Sequence, residues 1–234
     1  MGHRLKGMAL YLYPKSKHSR KLLPPQLKRY GSYKRYLQHE FKRVCVYCRE
    51  PDSHSSRLVY QVDHYRPKSL LRFGALETAY TNLYYCCGNC NSRKNNYWPA
   101  DEATHAWIVN PCEHEMAAHL RFNAATGLVE WRTIHGELTV ELLDLNDEAT
   151  VQARLHQLRS LKRVLRERTE LLAEATELKR QLRAGSVSQA QFDDRMDVVN
   201  ADLADCKTDE ETVTGDLALA ALPSRGGRTF HTFM

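Results

Sequence analysis

A chain of 234 residues, 42% hydrophobic and 26% charged, is long enough for one or two domains with a buried core, which excludes disorder along its whole length. No stretch approaches the roughly 18 to 20 apolar residues of a membrane-spanning helix, and the apolar run over residues 8–13 is too short and too interrupted by charge for a secretory signal, so the composition reads as cytoplasmic. The formal charge of +6 conceals a gradient: residues 1–50 hold 13 basic and 2 acidic side chains, whereas residues 101–234 hold 15 and 23.

Residues 1–43 read as a basic arm. Its lysines and arginines alternate with Tyr11, Tyr13, Tyr30, Tyr33 and Tyr36, a mixture suited to a polyanion such as nucleic acid. Pro14, Pro24 and Pro25 interrupt it, so only residues 26–41 read as an orderable helix. Residues 44–100 combine clustered cysteines with two β-type runs, residues 58–62 and 82–85, in a compact module. Between Trp107 and Asp144, short apolar runs divided by Asn110-Pro111, Gly127 and Gly136 predict loops with one or two short strands. Asn146-Asp147-Glu148 then offers an N-cap and an acidic first turn for a long helix free of Pro and Gly. Leu158, Leu161, Leu165, Leu172, Ala175 and Leu182 fall at three/four spacing along it, with Arg168 and Lys179 interrupting the seam. Gly185 ends this helix, and Ser188 with Gln191 makes a capping box for a second one bearing Phe192, Met196, Val199 and Leu203. Residues 101–222 thus read as a mixed, then α-helical region with a hairpin over about residues 147–205, followed by a flexible tail at 223–234.

Seven cysteines, an odd number, argue for metal ligands or buried thiols over a disulfide framework. Cys45-x-x-Cys48 and Cys87-x-x-Cys90 are two pairs separated by 38 residues. Each pair can grip one edge of a tetrahedral zinc ion, with sulfurs at about 2.3 Å. Four thiolates close the coordination sphere, so such a zinc is structural: it contributes to folding and has no open position for Lewis-acid chemistry. Cys86 competes with Cys87 for the site, but only Cys87 has the two-residue spacing to Cys90. Cys112 and Cys206 lack partners at ligand spacing and read as ordinary buried or partly buried thiols.

Between the cysteine pairs lies Asp63-His64. Adjacent Asp and His are common by accident, so the weight comes from context: Asn82 opens the second β-type run, and Asn91 follows the last cysteine of the cluster. Closing the segment on zinc brings Asp63, His64 and Asn91 towards one place. Asp and Asn oxygens suit a hard divalent cation, and His suits a general base.

Taken together, Cys45-x-x-Cys48, Asp63-His64 with Pro67 three residues on, Asn82-Leu83 and Cys87-x-x-Cys90-Asn91-x-x-Lys94 resemble the HNH endonucleases of the ββα-metal fold, over about 55 residues. The resemblance implies that His64 activates water as general base and that Asp63 and Asn91 ligate a catalytic Mg²⁺ or Mn²⁺. It also implies that Asn82 braces the loop carrying His64. Asn91 stands where the family's name has histidine, and Asn95 is a second candidate for that position. The implied reaction is in-line hydrolysis of a phosphodiester, leaving a 5′ phosphate and a 3′ hydroxyl. DNA is the expected substrate, with RNA left open, and Arg66, Lys68, Arg93 and Lys94 lie near enough in sequence to contact flanking phosphates.

Downstream, Val109-Asn110-Pro111-Cys112-Glu113, His119-Leu120-Arg121-Phe122, Thr133-Ile134 and Leu143-Asp144-Leu145-Asn146 resemble bacterial HNH nucleases encoded in phage-defence operons. This implies a role in restriction or phage defence and a partner ATPase or other defence-system subunit. One active site per chain cuts one strand at a time, so a double-strand break calls for two copies, as in a homodimer, or two visits. His114 and His119 read as structural or surface residues. The expected fold class is α+β: a zinc-stapled ββα nuclease module with a C-terminal helical region. The competing reading is a zinc-stapled nucleic-acid-binding module without catalysis, or a partner-recruiting subunit built on the helices.

Overall fold

The computed structural model describes residues 10–54, 59–219 and 222. Leu58 of the first β-type run, Met8 of the early apolar run and the tail from Pro223 lie outside the described residues.

The helix expected over residues 26–41 is shorter. A 3₁₀ turn at Tyr30–Tyr33 runs into α1, Lys34–Glu40, and the chain turns sharply where Lys42 and Arg43 both take positive φ. The arm ahead of it is not loose. Leu10, Tyr11, Tyr13 and Leu22 are buried in the main core, and the buried carboxylate of Glu40 accepts from His18 Nε2 at 2.7 Å, Lys21 N at 2.8 Å, Leu22 N at 3.0 Å and the Tyr80 hydroxyl at 3.2 Å. Order here comes from long-range contacts with Glu40 and the core, which leave no local periodicity to read.

Strand β1, Tyr60–His64, pairs antiparallel with β2, Leu83–Cys87, so that Asp63 faces Tyr84 and His64 faces Leu83. Asn82 belongs to a 3₁₀ turn at Tyr80–Asn82, one residue before the strand. Helix α2, Gly88–Lys94, follows β2 without a loop. The junction favours glycine: Gly88 N donates to Val59 O at 2.9 Å, and a Cβ at this position would approach the same oxygen to 3.0 Å. These three elements form the ββα unit.

Residues 107–145 contain more regular structure than expected. Helix α3, Met116–His119, leads into a hairpin of β3, Leu120–Phe122, and β4, Val129–Trp131, and then α4, Ile134–Leu142. Gly136 masked α4 because glycine reads as a helix breaker. Here it is a packing requirement, since a Cβ would lie 2.1 Å from the His119 carbonyl oxygen. Thr133 caps the helix by accepting from Gly136 N.

Helix α5, Glu148–Arg183, is capped by Asp147, whose side chain accepts from Thr150 N. Asn146, the other candidate cap, instead exchanges hydrogen bonds with Val129 N and O, fastening the helix start to β4. After Gly185 at φ +69°, the expected Ser188/Gln191 capping box opens α6, Gln189–Thr214, which runs beyond the predicted end near residue 205. The predicted seam of α5 divides between two partners. Leu158, Leu161 and Leu165 join the main core, whereas Ala175 and Leu178 pack with Val199, Phe192, Met196 and Leu203 of α6. Leu172, read as part of a single stripe, is 48% exposed because the buried face changes with the partner. The far end of α6 returns to the cysteine module, where Ser53 Oγ donates to Thr212 O at 2.9 Å and His54 Nε2 donates to Val213 O.

The fold is therefore α+β, with one main core that includes Leu22 of the arm, Tyr84 of the ββα unit, Leu120 of the hairpin and Leu161 of α5. Among the described residues, no helix is long and apolar enough to cross a membrane.

Candidate active site and zinc centre

Cys45 and Cys48 lie on the turn after α1, closed by Cys45 N donating to Glu50 O at 2.8 Å. Cys87 ends β2 and Cys90 sits in the first turn of α2. Their four sulfurs lie within 4.8 Å of one another and all four residues are buried. Cys48 Sγ and Cys87 Sγ are 3.8 Å apart, the edge expected, at about 3.8 Å, for a tetrahedron with metal–sulfur bonds of about 2.3 Å. The donor set suits structural zinc. The alternation of β2 sends Cys86 to the opposite face from Cys87, where burial pushes its thiol well above the usual range.

Asp63 and His64 end β1 and, as consecutive strand residues, point to opposite faces of it. His64 Nε2 lies 2.9 Å from the Glu77 carbonyl oxygen. A carbonyl can only accept, so the Nε2 proton points there and the neutral ring keeps its lone pair on Nδ1. Tyr30 meets the imidazole edge-on, with ring centroids 4.6 Å apart. Burial lowers the His64 pKa; the Glu77 carbonyl and Asp63 only partly offset this, so the neutral form is favoured.

Asn82 clamps the segment after His64. Its Oδ1 accepts from Arg66 N at 2.9 Å, its Nδ2 donates to Arg66 O at 3.0 Å, and its carbonyl accepts from Tyr65 N at 3.0 Å. Asp63 is 3% exposed. Its Oδ1 accepts from Lys94 Nζ at 3.0 Å and its Oδ2 from the Tyr47 hydroxyl at 2.6 Å, while Lys94 Nζ also donates to His64 O at 2.7 Å. One helical turn earlier, Asn91 Nδ2 donates to Gln61 Oε1 at 2.6 Å. Asp63 and Asn91 thus project between the facing surfaces of β1 and α2. Asn95 is exposed at the α2 C-cap, with φ +46°.

Each Asp63 oxygen accepts one hydrogen bond and retains a further lone pair. Asn91 spends an N–H on Gln61, leaving its amide oxygen unengaged among the described residues. Carboxylate plus amide oxygen is a donor set that suits a hard cation, although Lys94 already shares the Asp63 carboxylate.

The four basic residues expected at phosphates are all held by protein acceptors. Arg66 makes a two-pronged contact with Glu113 at 2.7 and 3.1 Å and lies over Trp98. Lys68 pairs with Glu77 at 2.8 Å, and Arg93 with Asp144 at 2.8 Å and Asp147 at 3.6 Å. Lys94 departs from the expectation outright: at 1% exposure, its ammonium faces Asp63 inside the fold rather than a phosphate outside it. Three residues of the site carried no signal of their own. Tyr47 was one of the two spacers inside a Cys-x-x-Cys pair, Glu77 acts through its backbone, and Tyr30 belongs to the arm.

His114 and His135 stack on opposite sides of Trp107, each at 3.7 Å and 10°, with His119 edge-on at 5.3 Å. The Nδ1 atoms of His114 and His135 accept from Asn110 N and Trp107 N, which leaves their protons on Nε2. Burial, with His119 and Lys17 nearby, pushes His114 down to about 4. This is a packed aromatic cluster of neutral imidazoles, in keeping with the structural reading of His114 and His119.

The family model for HNH endonucleases matches residues 45–97. The matched span opens on the first cysteine of the cluster, contains β1, β2 and α2, and ends three residues beyond α2. No curated protein and no solved structure matches the chain.

Proposed function

We propose that this protein, which carries an HNH endonuclease domain at residues 45–97, hydrolyses phosphodiester bonds in DNA with that domain as its catalytic unit. The observation that carries the reading is the orientation of His64: the Glu77 carbonyl takes the Nε2 proton and the lone pair is left on Nδ1. In this role Nδ1 accepts a proton from the attacking water as the new P–O bond forms and the bond to the 3′ oxygen breaks. Asn82 holds the backbone at Tyr65 and Arg66 so that the imidazole keeps its position. Tyr47 and Lys94 fix the Asp63 carboxylate, and with Asn91 it would hold Mg²⁺ or Mn²⁺. Such a cation, when bound, supplies charge stabilisation to the scissile phosphate and the leaving oxygen. The zinc centre acts at a distance from the chemistry. It ties Tyr47, between Cys45 and Cys48, to the start of α2, from which Asn91 and Lys94 project.

Supercoiled plasmid, incubated with purified protein in Mg²⁺, Mn²⁺ or EDTA, tests this. The expected result is nicking or linearisation that requires the cation and is abolished by His64→Ala with zinc content unchanged. A zinc-loaded wild type that binds DNA but leaves it intact in every metal would overturn the reading in favour of a binding module. Phage defence is the setting suggested by the downstream motifs; fewer plaques on cells expressing wild type than on cells expressing His64→Ala would support it.

A further inference from the structure

Arg66, Lys68 and Arg93 each have a carboxylate partner, and Lys94 is buried. A phosphate approaching any of the first three must compete with an ion pair already made. Among the cations without that handicap are four on the arm. Lys28, Arg29, Lys34 and Arg35 are all exposed, and among the described residues none of them forms an ion pair. Their placement follows from Tyr30. Lys28 and Arg29 immediately precede it, and Lys34 lies one helical turn beyond it, where the 3₁₀ turn passes directly into α1. Tyr30 touches His64, and Lys68 Nζ lies 4.3 Å from the Tyr30 ring centroid. The nearby acid, Glu77, is engaged with Lys68.

The arm also has the rigidity that a positioning surface needs. Glu40 holds residues 18–22 through three hydrogen bonds, and Leu27 N donates to the Tyr33 hydroxyl at 2.8 Å. Cations on a backbone held in this way, and not engaged in an ion pair, meet a phosphate without first giving up a carboxylate, and each phosphate neutralised releases counterions.

We propose that Lys28, Arg29 and Lys34, arranged around Tyr30, form the surface that grips DNA backbone phosphates beside His64. This deepens the nuclease reading and rests on it for the position of the scissile bond, while the grip itself is measurable without cleavage. The test uses full-length His64→Ala protein and a fluorescein-labelled 20-base-pair duplex, with anisotropy recorded over a salt series. Adding Lys28→Gln, Arg29→Gln and Lys34→Gln together is expected to weaken binding at least tenfold near 0.1 M salt. It is also expected to flatten the plot of log K against log salt by about 3, from about 0.9 per phosphate contact. The control triple Arg159→Gln, Lys162→Gln and Arg163→Gln, on exposed positions of α5, removes the same charge and is expected to leave the slope unchanged.

Equal losses in both triples would reduce the effect to net charge and overturn the proposal, as would an unchanged slope in the arm triple or no binding by the parent protein. The two readings fail separately. An arm triple that retains DNA binding, built on an active His64 background that still cleaves, sinks the surface and spares the nuclease. A wild type that binds through the arm but never cleaves does the reverse.

Discussion

Lys94 Nζ lies 3.0 Å from Asp63 Oδ1, and both side chains are almost wholly buried. The pair joins α2 to β1 directly under His64, whose carbonyl is the second acceptor of the same ammonium. Lys94→Met removes the partner of a buried carboxylate and is expected to cost roughly 3–5 kcal/mol of unfolding free energy. Asp63→Asn in the Lys94→Met background restores charge balance and is expected to recover part of that loss. Urea denaturation of wild type, Lys94→Met, Asp63→Asn and the double variant checks the cycle, and strictly additive losses would show that the two side chains are not coupled.

Removing the metal from the four-cysteine centre is expected to loosen the ββα unit, because its two five-residue strands and seven-residue helix lose the tie between the turn after α1, the end of β2 and the start of α2. Chelator titration followed by amide exchange in residues 60–94 measures this. Cys86→Ser, outside the cluster, is expected to retain full zinc content, whereas Cys87→Ser loses it.

Glu40 makes the arm sensitive to acid. Burial opposes its carboxylate, but the hydrogen bonds from His18, Lys21 and Leu22 outweigh that and hold its pKa below the ordinary glutamate value. A carboxylate with a depressed folded-state pKa contributes stability above its unfolded value, about 4.3, and loses that contribution as pH falls through the folded one. Glu40→Gln is therefore expected to be less stable than wild type at neutral pH, with the gap closing below about pH 4. Thermal melts of both proteins across that range give the answer. Faster exchange at the Lys21 and Leu22 amides would locate the effect in the arm.

Gly136→Ala forces a Cβ against the His119 carbonyl oxygen, at 2.1 Å with no relaxation, and is expected to destabilise the chain by about 1–3 kcal/mol. Gly31→Ala serves as its reference, since nothing lies within 4 Å of the Cβ it would add, and its melting temperature is expected to stay near that of wild type.

What the amino-acid sequence determined by itself was whatever depends on spacing along the chain. Two cysteines with two residues between them can meet one ion whatever surrounds them, so the cluster of Cys45, Cys48, Cys87 and Cys90 was legible, as was the choice of Cys87 over Cys86. The long capped helix and the Ser188/Gln191 box were legible for the same reason, since a helix cap is satisfied within four residues. The zinc spacing also led to the expectation that Asp63, His64 and Asn91 converge, which is part of the proposed function. Tertiary structure decided the rest. Only the fold put Lys94 against Asp63 and away from solvent, gave the Glu77 backbone the task of orienting His64, and made Glu40 the anchor of an arm that has no periodicity. It also turned Gly136 from an apparent breaker into the residue that lets α4 approach His119. These are contacts between residues 13 to 40 positions apart, and the free energy of such contacts comes from burial and desolvation at the place where the chain meets itself. Spacing in the sequence carries no record of that place.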